Sequence, residues 1–307
     1  MISVIIPCYN SESFLRRAID SVHSQSYTDW EIILVNNNSV DGTQNVIDEY
    51  VLAFPGRIFS LFEDRKGACY ARNLGLSAAK GEWIQFLDAD DELLPGKFER
   101  QLGKYAAKAD VIIGAFSRVE VGTDKKSFYK VHPNKSIWYS ILYSQAGITS
   151  SNLYKREAVL KINGWNTTLG SSQEYDMMFR LVQSNAAVAF DTTCAALIYE
   201  VPNSISRPTS KKALDKIERN YIDLRLRVAA HLNESGGWTN YLHRIYSVRL
   251  FRMMVGRREA SLEHVKTIMR DLQLKVPPYI EILLICKYYI KRVLIRFNII
   301  NASLAEG

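Results

Sequence analysis

The N-terminal third of the chain alternates short apolar runs with amphipathic helical stretches, and this alternation constrains the fold more than any other feature. The apolar runs are rich in Ile, Val and Leu, as buried strands are, and they cover 2–6, 31–35, 58–62 and 83–87. Apolar residues recur at helical spacing within 12–25, from 41 onward and within 67–79. Strands that alternate with helices pair in parallel through right-handed crossovers. The pattern therefore predicts an α/β fold.

Polar segments follow three of these strands at their carboxyl ends. They cover residues 7–12, 36–41 and 88–91. In open α/β sheets, ligands bind beyond the carboxyl ends of the strands. We therefore expect these segments, which are far apart in sequence, to converge in space on one site.

The pattern changes near Pro208. Before it, 110–118 and 188–200 resemble further strands and 174–184 a helix. After it, strand signals disappear and charged helical segments follow at 209–232, 238–256, 259–273 and 278–298. We therefore predict two regions, residues 1–206 and a helical C-terminal region at 207–307.

The positive charge belongs to the C-terminal region. The whole chain carries a formal net charge of +7, and residues 207–307 alone hold 19 Lys and Arg against nine Asp and Glu. A basic region of this kind favours an anionic partner, either a membrane surface or a nucleic acid.

Two features bear on the compartment. The four cysteines, Cys8, Cys69, Cys194 and Cys286, include no CxxC pair and predict free thiols in a reducing cytoplasm. The N-terminus begins directly with a strand-like run and shows no signal-peptide pattern.

Three carboxylates, Asp88, Asp90 and Asp91, directly follow the apolar run at 83–87. Carboxylates crowded at a strand end repel one another, and a divalent cation such as Mg²⁺ or Mn²⁺ would relieve that repulsion. A DxD pattern alone is weak, because a solvated turn with helix-capping aspartates has the same sequence. Its context decides between the two interpretations.

Four segments in order carry a resemblance to known proteins. They are Val4-Ile5-Ile6-Pro7-Cys8-Tyr9-Asn10, Glu31-Ile32-Ile33-Leu34-Val35 with Ser39-Val40-Asp41-Gly42-Thr43, Ala71-Arg72-Asn73-Leu74-Gly75, and Gly81-Glu82-Trp83-Ile84-Gln85-Phe86-Leu87-Asp88-Ala89-Asp90-Asp91. In wording and spacing they resemble the motifs of family 2 glycosyltransferases, over about residues 1–206. The resemblance implies the GT-A fold, a Rossmann-like mixed sheet, with a C-terminal helical extension. It makes 1–110 the nucleotide-sugar-binding half and 111–206 the acceptor half.

The resemblance also implies roles for individual residues. The donor nucleotide would contact Pro7, Tyr9, Glu12, Asn37, Arg72, Asp88 and Ala89. Asp90 matches the ligand of Mn²⁺ or Mg²⁺, and Asp91 and Gln173 lie on the acceptor side. For Tyr9 and Arg72 the alternatives are packing and surface roles, and for Glu12 a helix-start charge.

The chain departs from the family at Asn36 and Asn37, where two aspartates are usual. An amide can accept from an imide N–H and donate to a carbonyl, which is the edge that uracil and thymine present. This favours a UDP- or dTDP-linked sugar over a GDP-linked one.

The segment 171–181 resembles the family's acceptor-side motif, and Glu174 falls on the position of the general base. An attacking hydroxyl must lose its proton as the new bond forms, so a carboxylate within hydrogen-bond reach suits this role. Asp176 is a weaker candidate, because Arg180 four residues later can pair with it on one helix face. For Glu174 the alternative is a helix N-terminal charge.

A second departure lies at the end of the catalytic region. Relatives often carry a histidine where this chain has Val201, so a third protein ligand for the metal is in doubt. Arg207, Lys211 and Lys212 are candidates to meet the diphosphate instead, and 202–212 is a candidate lid. The chain has no Gln-x-x-Arg-Trp segment, which predicts addition of a single sugar.

The last predicted helix carries Lys287, Lys291, Arg292 and Arg296 on one face among apolar residues. Four cations argue against a membrane-spanning helix and fit a basic amphipathic helix in the membrane interface. The alternative is a helix that packs on the catalytic domain or forms a homo-oligomer.

Together these features predict an inverting, metal-dependent hexosyltransferase that uses a nucleotide-sugar donor. We expect a glycan or lipid-linked glycan acceptor in cell-surface polysaccharide biosynthesis, at the cytoplasmic face of the inner membrane. The alternative is a degenerate relative that binds the sugar nucleotide without catalysis. Nucleic acid is not an expected partner, because the basic tail shows an apolar stripe rather than interleaved base-reading residues.

Overall fold

The computed structural model of the protein describes residues 1–120, 125–131, 136–200, 210–256 and 262–296. The side chains of 211, 287, 288 and 290–296 are not among those described. The chain divides into two compact units, Met1–Ile217 and Glu218–Gly307. The division therefore falls eleven residues later than the predicted boundary after residue 206.

Nine strands are present in the described part of the chain. They are β1 (Ile2–Cys8), β2 (Trp30–Asn36), β3 (Ile58–Phe62), β4 (Trp83–Phe86), β5 (Glu92–Leu93), β6 (Val111–Glu120), β7 (Lys126–Tyr129), β8 (Leu153–Lys155) and β9 (Val188–Glu200). They form one sheet in the order β3-β2-β1-β4-β8-β6-β9-β5, and β7 pairs with β6 outside this path.

The N-terminal four strands of the sheet are parallel, as the alternating pattern predicts. β1 pairs with both β2 and β4 in parallel, and β2 pairs in parallel with β3. β8 runs antiparallel to both β4 and β6, whereas β9 runs parallel to β6. The sheet is therefore mixed, and the predicted fold class is confirmed.

Four of the first seven described helices begin and end close to the predicted positions, and the other three have no predicted counterpart. The seven helices are α1 (Leu15–His23), α2 (Thr43–Ala53), α3 (Ala68–Ala78), α4 (Lys97–Tyr105), α5 (Ile137–Leu142), α6 (Arg156–Lys161) and α7 (Gln173–Gln183). Sequence periodicity missed α4, α5 and α6. The last two have only six residues each, too short for a clear helical period.

The core of the first unit lies between the sheet and its helices. Ile2, Val4 and Ile6 alternate along β1 and are fully buried, and Leu15 and Ile19 of α1 are also fully buried in the same cluster. Burial on both faces explains why β1 reads as a continuous apolar run rather than an alternating one.

Four further helices follow β9 in the described part of the chain. They are α8 (Lys211–Glu234), α9 (Asn240–Gly256), α10 (Leu262–Asp271) and α11 (Pro278–Arg296). Among the described residues, no helix has the length and apolar content needed to cross a membrane. In α11, Tyr279, Ile282, Leu283 and Tyr289 are more than half exposed.

Candidate active site

Hydrogen bonds tie together the loops that follow β1 and β2. The Asn10 N–H donates to the Ser39 hydroxyl over 3.1 Å, and the Ser11 N–H donates to the Thr43 hydroxyl over 2.8 Å. Asn10 adopts a positive φ of 46°, a conformation that asparagine tolerates better than most residues. The first two polar segments therefore meet at the carboxyl edge of the sheet, as their positions predict.

Glu12 points its carboxylate at the start of α2. One oxygen accepts from the Gly42 N–H over 3.0 Å, at the N-cap of that helix. A negative charge is favourable at a helix N-terminus. A Cβ on Gly42 would lie 2.3 Å from the Glu12 carboxylate, so glycine leaves room for this contact. Glu12 thus acts as a helix-start charge, for α2 rather than for the helix that follows it in sequence.

Pro7 and Tyr9 lie where β1 ends. Pro7 pairs in register with Val35 and is half-buried. Tyr9 is 54% exposed, the larger part of its ring facing solvent at the carboxyl edge. An exposed aromatic ring offers a stacking surface for a planar base.

Asn37 is buried and holds the loop between β3 and α3. Its amide nitrogen donates to the carbonyls of Glu63 and Arg65 over 2.9 and 2.8 Å, and its amide oxygen accepts from the Gly67 N–H over 2.8 Å. Both amide hydrogens are therefore used within the protein. In this conformation Asn37 has an acceptor lone pair, but no donor, left for a base.

The acidic turn after β4 is held by Ser150. The Asp91 N–H donates to the Asp88 carbonyl over 3.0 Å, closing the turn. The Asp88 N–H donates to the Ser150 hydroxyl over 3.2 Å, and that hydroxyl donates to the Asp91 carboxylate. Ser150 is fully buried and Asp91 is 3% exposed. Ala89 lies between the carboxylates and packs into the hydrophobic core.

Burial and neighbouring carboxylates raise the pKa values of Asp90 and Asp91. Burial, and next the charge of Asp88, raise the pKa of Asp90 from 3.8 to about 6. Burial and the charges of Asp88 and Asp90 raise the pKa of Asp91 well above its usual range. The turn thus concentrates negative charge in a poorly solvated place.

This charge distribution fits a hard divalent cation. Within the described residues, no three His, Cys, Asp or Glu side chains converge to hold a metal by themselves. Mg²⁺ and similar ions are commonly held by one or two carboxylates together with substrate phosphates and water. The oxygen ligands and the raised pKa of Asp90 suit such a shared site.

Arg72 connects the acidic turn to α7. Its guanidinium donates to the Asp88 carboxylate over 2.6 Å and to the Gln173 side-chain oxygen over 3.4 Å. It also lies over the Trp165 ring, 4.5 Å from the centroid. Arg72 is 6% exposed as a residue, so these contacts compensate a buried charge. Burial alone would lower the pKa of Arg72, but the nearby Asp88 carboxylate raises it above its usual value.

The two acidic residues at the start of α7 have different surroundings. The Arg180 guanidinium donates to the Asp176 carboxylate over 2.8 Å, and Asp176 is 1% exposed. The predicted ion pair is therefore present, and it assigns Asp176 to the support of the helix. Glu174 is half-buried, and its charge acts on both Arg72 and Tyr154. Glu174 is thus close enough to Arg72 and Tyr154 for its charge to affect the pKa values of both.

Sequence reasoning missed Ser150 and Trp165. Ser150 lies in the loop before β8, a segment with no periodic signal. Trp165 had an indirect signal, since Asn73 in the third motif bonds to both its N–H and its carbonyl over 2.8 Å. Arg207 and 202–209 of the candidate lid lie outside the described residues, as does the segment that begins at Val201.

Comparison with known proteins gives a consistent result. The family model for glycosyl transferase family 2 matches residues 3–162. An uncharacterized glycosyltransferase of Haemophilus influenzae is 26% identical over 238 residues, which span 72% of this chain and 77% of that protein. A putative teichuronic acid biosynthesis glycosyltransferase of Bacillus subtilis, TuaG, is 38% identical over 103 residues, 33% of this chain and 40% of TuaG.

A solved structure shares the fold. Residues 1–349 of TarS from S. aureus, in complex with UDP-GlcNAc, match with a TM-score of 0.65 at 16% sequence identity. The match covers 96% of this chain and 87% of that one. At this identity the likeness speaks for the fold alone, and the GT-A architecture is therefore shown. Because the family model covers more than half of the chain, the protein belongs to glycosyl transferase family 2.

Proposed function

We propose that this protein transfers one sugar, with inversion, from a UDP- or dTDP-linked donor to a hydroxyl of a glycan or lipid-linked glycan acceptor. The observation that carries the proposal is the Arg72 bridge, which joins Asp88 of the acidic turn to Gln173 at the start of α7. A single buried cation thereby links the expected donor side to the expected acceptor side.

The donor side offers surfaces for each part of a nucleotide-sugar. The exposed ring of Tyr9 is a platform for the base. The Arg72 guanidinium is a fixed positive charge near the place expected for the diphosphate. The preference for UDP or dTDP over GDP rests on the neutral Asn37, although its amide hydrogens are engaged within the protein.

Asp90 would hold a Mn²⁺ or Mg²⁺ ion together with the donor diphosphate, with Asp88 nearby. A bound ion of this kind offsets the charge that builds on the leaving nucleotide. Ser150 fixes the backbone of the turn, and Arg72 fixes the Asp88 carboxylate.

Glu174 is the proposed general base. Its position in the first turn of α7 puts it one residue from Gln173, which the Arg72 bridge holds against the acidic turn. A carboxylate here would take the proton of the acceptor hydroxyl as it attacks the anomeric carbon from the face opposite the leaving diphosphate. Asp91 would then contribute to the acceptor side through the Ser150 network.

The biological setting is proposed from the relatives. TuaG is named for teichuronic acid biosynthesis, and TarS was solved with UDP-GlcNAc. A cell-surface polysaccharide is therefore the first acceptor class to test, and a UDP-sugar the first donor class.

We further propose peripheral association with the cytoplasmic face of the membrane through α11. Exposed Ile282 and Leu283 support an apolar contact, while the four cations predicted on this helix lie among residues whose side chains are not described. A homo-oligomer through the C-terminal helices is the alternative.

A nucleotide-sugar screen tests the proposed reaction. UDP-, dTDP- and GDP-sugars with Mn²⁺ are compared by thermal shift and by release of the free sugar. A UDP- or dTDP-sugar should stabilise the protein and be hydrolysed slowly, and Asp90→Ala should abolish both effects. No turnover with any donor would favour the degenerate, non-catalytic alternative.

Glu174→Gln tests the general base. The variant should bind donor as the wild type does, yet transfer sugar at least about 100-fold more slowly, the size usual for loss of a general base. Glu157→Gln is a matched control, because Glu157 is an exposed glutamate in the first turn of α6. Retained transfer in Glu174→Gln would remove Glu174 from the role of base.

A further inference from the structure

A cavity of about 280 Å³ lies between β7 and the loop 144–147, in the first unit. None of the residues predicted for the donor or acceptor side lines it. Its walls include Phe128, Tyr129 and Lys130 on one side and Gln145 and Gly147 on the other. The site described above therefore leaves this cavity without a role.

The aromatic wall of the cavity is supported by ring stacking and is partly exposed. Tyr129 is 43% exposed, and its ring stacks on Phe116 with centroids 4.9 Å apart and planes 1° apart. The two residues are partners across the β6–β7 ladder. The Arg118 guanidinium lies 5.4 Å from the centroid of the Tyr129 ring. A ring held in this way is a preorganised stacking surface.

The opposite wall presents a buried acceptor. The side-chain oxygen of Gln145 is inaccessible to water and has no hydrogen-bond donor among the described residues. Its backbone N–H donates to the Ser140 carbonyl over 2.7 Å, which holds the residue in place. Buried acceptors are nearly always paired in native proteins. In this conformation the oxygen is out of reach of a group the size of water, so a ligand hydroxyl would pair with it after the Gln145 side chain turns toward the cavity.

The cavity adjoins the proposed base through one hydrogen bond. The Tyr175 hydroxyl donates to the Gly147 carbonyl over 3.0 Å, and Tyr175 follows Glu174 in sequence. Gly147 has a φ of +70°, and a Cβ there would lie 1.9 Å from the Asn152 amide oxygen. Glycine is therefore required at this position of the wall that connects the cavity to α7.

The cavity is poorly placed for the donor base. Tyr9 follows β1, and β1 is separated from β6 by β4 and β8 in the sheet. Three strand spacings correspond to about 14 Å, and β7 is not on this path but pairs with β6. A ligand in the cavity thus sits well to the acceptor side of the expected base platform.

We propose that this cavity binds a sugar ring of the acceptor glycan, beyond the unit that receives the new bond. The inference rests on the proposed function for the identity of the glycan as acceptor. An apolar sugar face stacks on Tyr129, and ring hydroxyls donate to the Gln145 oxygen and accept from the Lys130 ammonium. Flat apolar contact together with a few directed polar groups is what recognition of a small polar ring requires.

Saturation-transfer NMR with simple pyranosides tests the cavity directly. Methyl glucoside, methyl galactoside and methyl N-acetylglucosaminide are titrated against the full chain, as wild type and as Tyr129→Ala, Gln145→Leu and Tyr129→Phe. At least one pyranoside should bind the wild type, about five- to ten-fold more weakly to Tyr129→Ala and to Gln145→Leu. Tyr129→Phe keeps the stacking surface and should bind as the wild type does. Tyr279→Ala is the control, because Tyr279 is an exposed aromatic of α11.

Two results would overturn the proposal. One is wild-type affinity in both Tyr129→Ala and Gln145→Leu, and the other is the absence of saturation transfer to any of the pyranosides from the wild type. Donor hydrolysis, measured in parallel, should be unchanged in all variants. If the wild type showed no donor hydrolysis, the proposed function would be refuted. Loss of pyranoside binding in Tyr129→Ala would then still support a sugar site in this cavity.

Discussion

Replacing Asp90 by Asn should stabilise the ligand-free protein even though it removes the proposed metal ligand. Asp90 carries its charge in a partly buried turn beside Asp88 and Asp91, with a pKa raised to about 6. A raised pKa means that the folded state disfavours the ionised carboxylate. An amide of the same shape does not incur this cost.

The size of the expected stabilisation follows from the shift in the pKa of Asp90. The pKa rises from 3.8 to about 6, and each pKa unit corresponds to about 1.4 kcal/mol, so the full shift would be worth about 3 kcal/mol. Because Asp90 retains partial exposure, we expect Asp90→Asn to raise the free energy of unfolding by about 2 kcal/mol near neutral pH.

Urea unfolding across a pH series measures this gain. Between the unfolded and folded pKa values of Asp90, the folded wild type binds more protons than the unfolded chain, so its stability falls as pH rises through this interval. Asp90→Asn does not titrate at this position. Its advantage should be near zero below about pH 4, grow up to about pH 6 and stay constant above it.

Asp88→Asn, two residues away, is a control for which we expect the opposite change in stability. Asp88 compensates the buried Arg72 guanidinium across 2.6 Å, and the Arg72 side chain is only 7% exposed. Leaving this cation without its carboxylate should lower the free energy of unfolding by about 2 kcal/mol. Destabilisation by Asp90→Asn, or a stabilisation that persists unchanged at acid pH, would refute the reasoning.

Three further predictions test other parts of the structure. Ser150→Ala removes the donor to the buried Asp91 carboxylate and should lower the free energy of unfolding in urea by about 2 kcal/mol. Ser151 is equally buried but bonded within its own turn, so Ser151→Ala should lower it by about 1 kcal/mol. Equal losses would contradict the role of Ser150 in holding the acidic turn. Arg72→Lys keeps the charge but loses the planar fork, so donor hydrolysis should fall by about ten-fold or more; unchanged hydrolysis would exclude Arg72 from the donor side. Deleting 278–307 should release the protein from anionic liposomes in a sedimentation assay, and unchanged binding would exclude α11 as the anchor.

The opposite roles of neighbouring carboxylates illustrate how much a side chain's partner determines its chemistry. Asp88 is paired with Arg72, Asp91 is buried and bonded to Ser150, and Asp90 faces the charge of its neighbours. The three residues look equivalent in the sequence. Their different partners, Arg72 for Asp88 and Ser150 for Asp91, are distant along the chain.

The sequence alone determined the parallel half of the sheet and the edge of the sheet where the candidate site lies. The strands at 58–62 and 188–200 have the predicted bounds, because their local residue composition already specifies an extended buried segment. The polar segments after β1 and β2 meet where the parallel-sheet rule predicts. Local periodicity carries this information, and it depends little on distant contacts.

The tertiary structure alone decided which of the candidate residues touch. β8 has three residues, too few for a periodic signal, yet it lies between β4 and β6 and makes the sheet mixed. Its loop brings Ser150 to the acidic turn, and the bond from Arg72 to Gln173 spans 101 residues of sequence. The Asn37 amide hydrogens likewise bond to the loop between β3 and α3, whose position beside Asn37 the sequence did not predict. Such pairings depend on strand order and crossovers, which no local pattern of residues encodes.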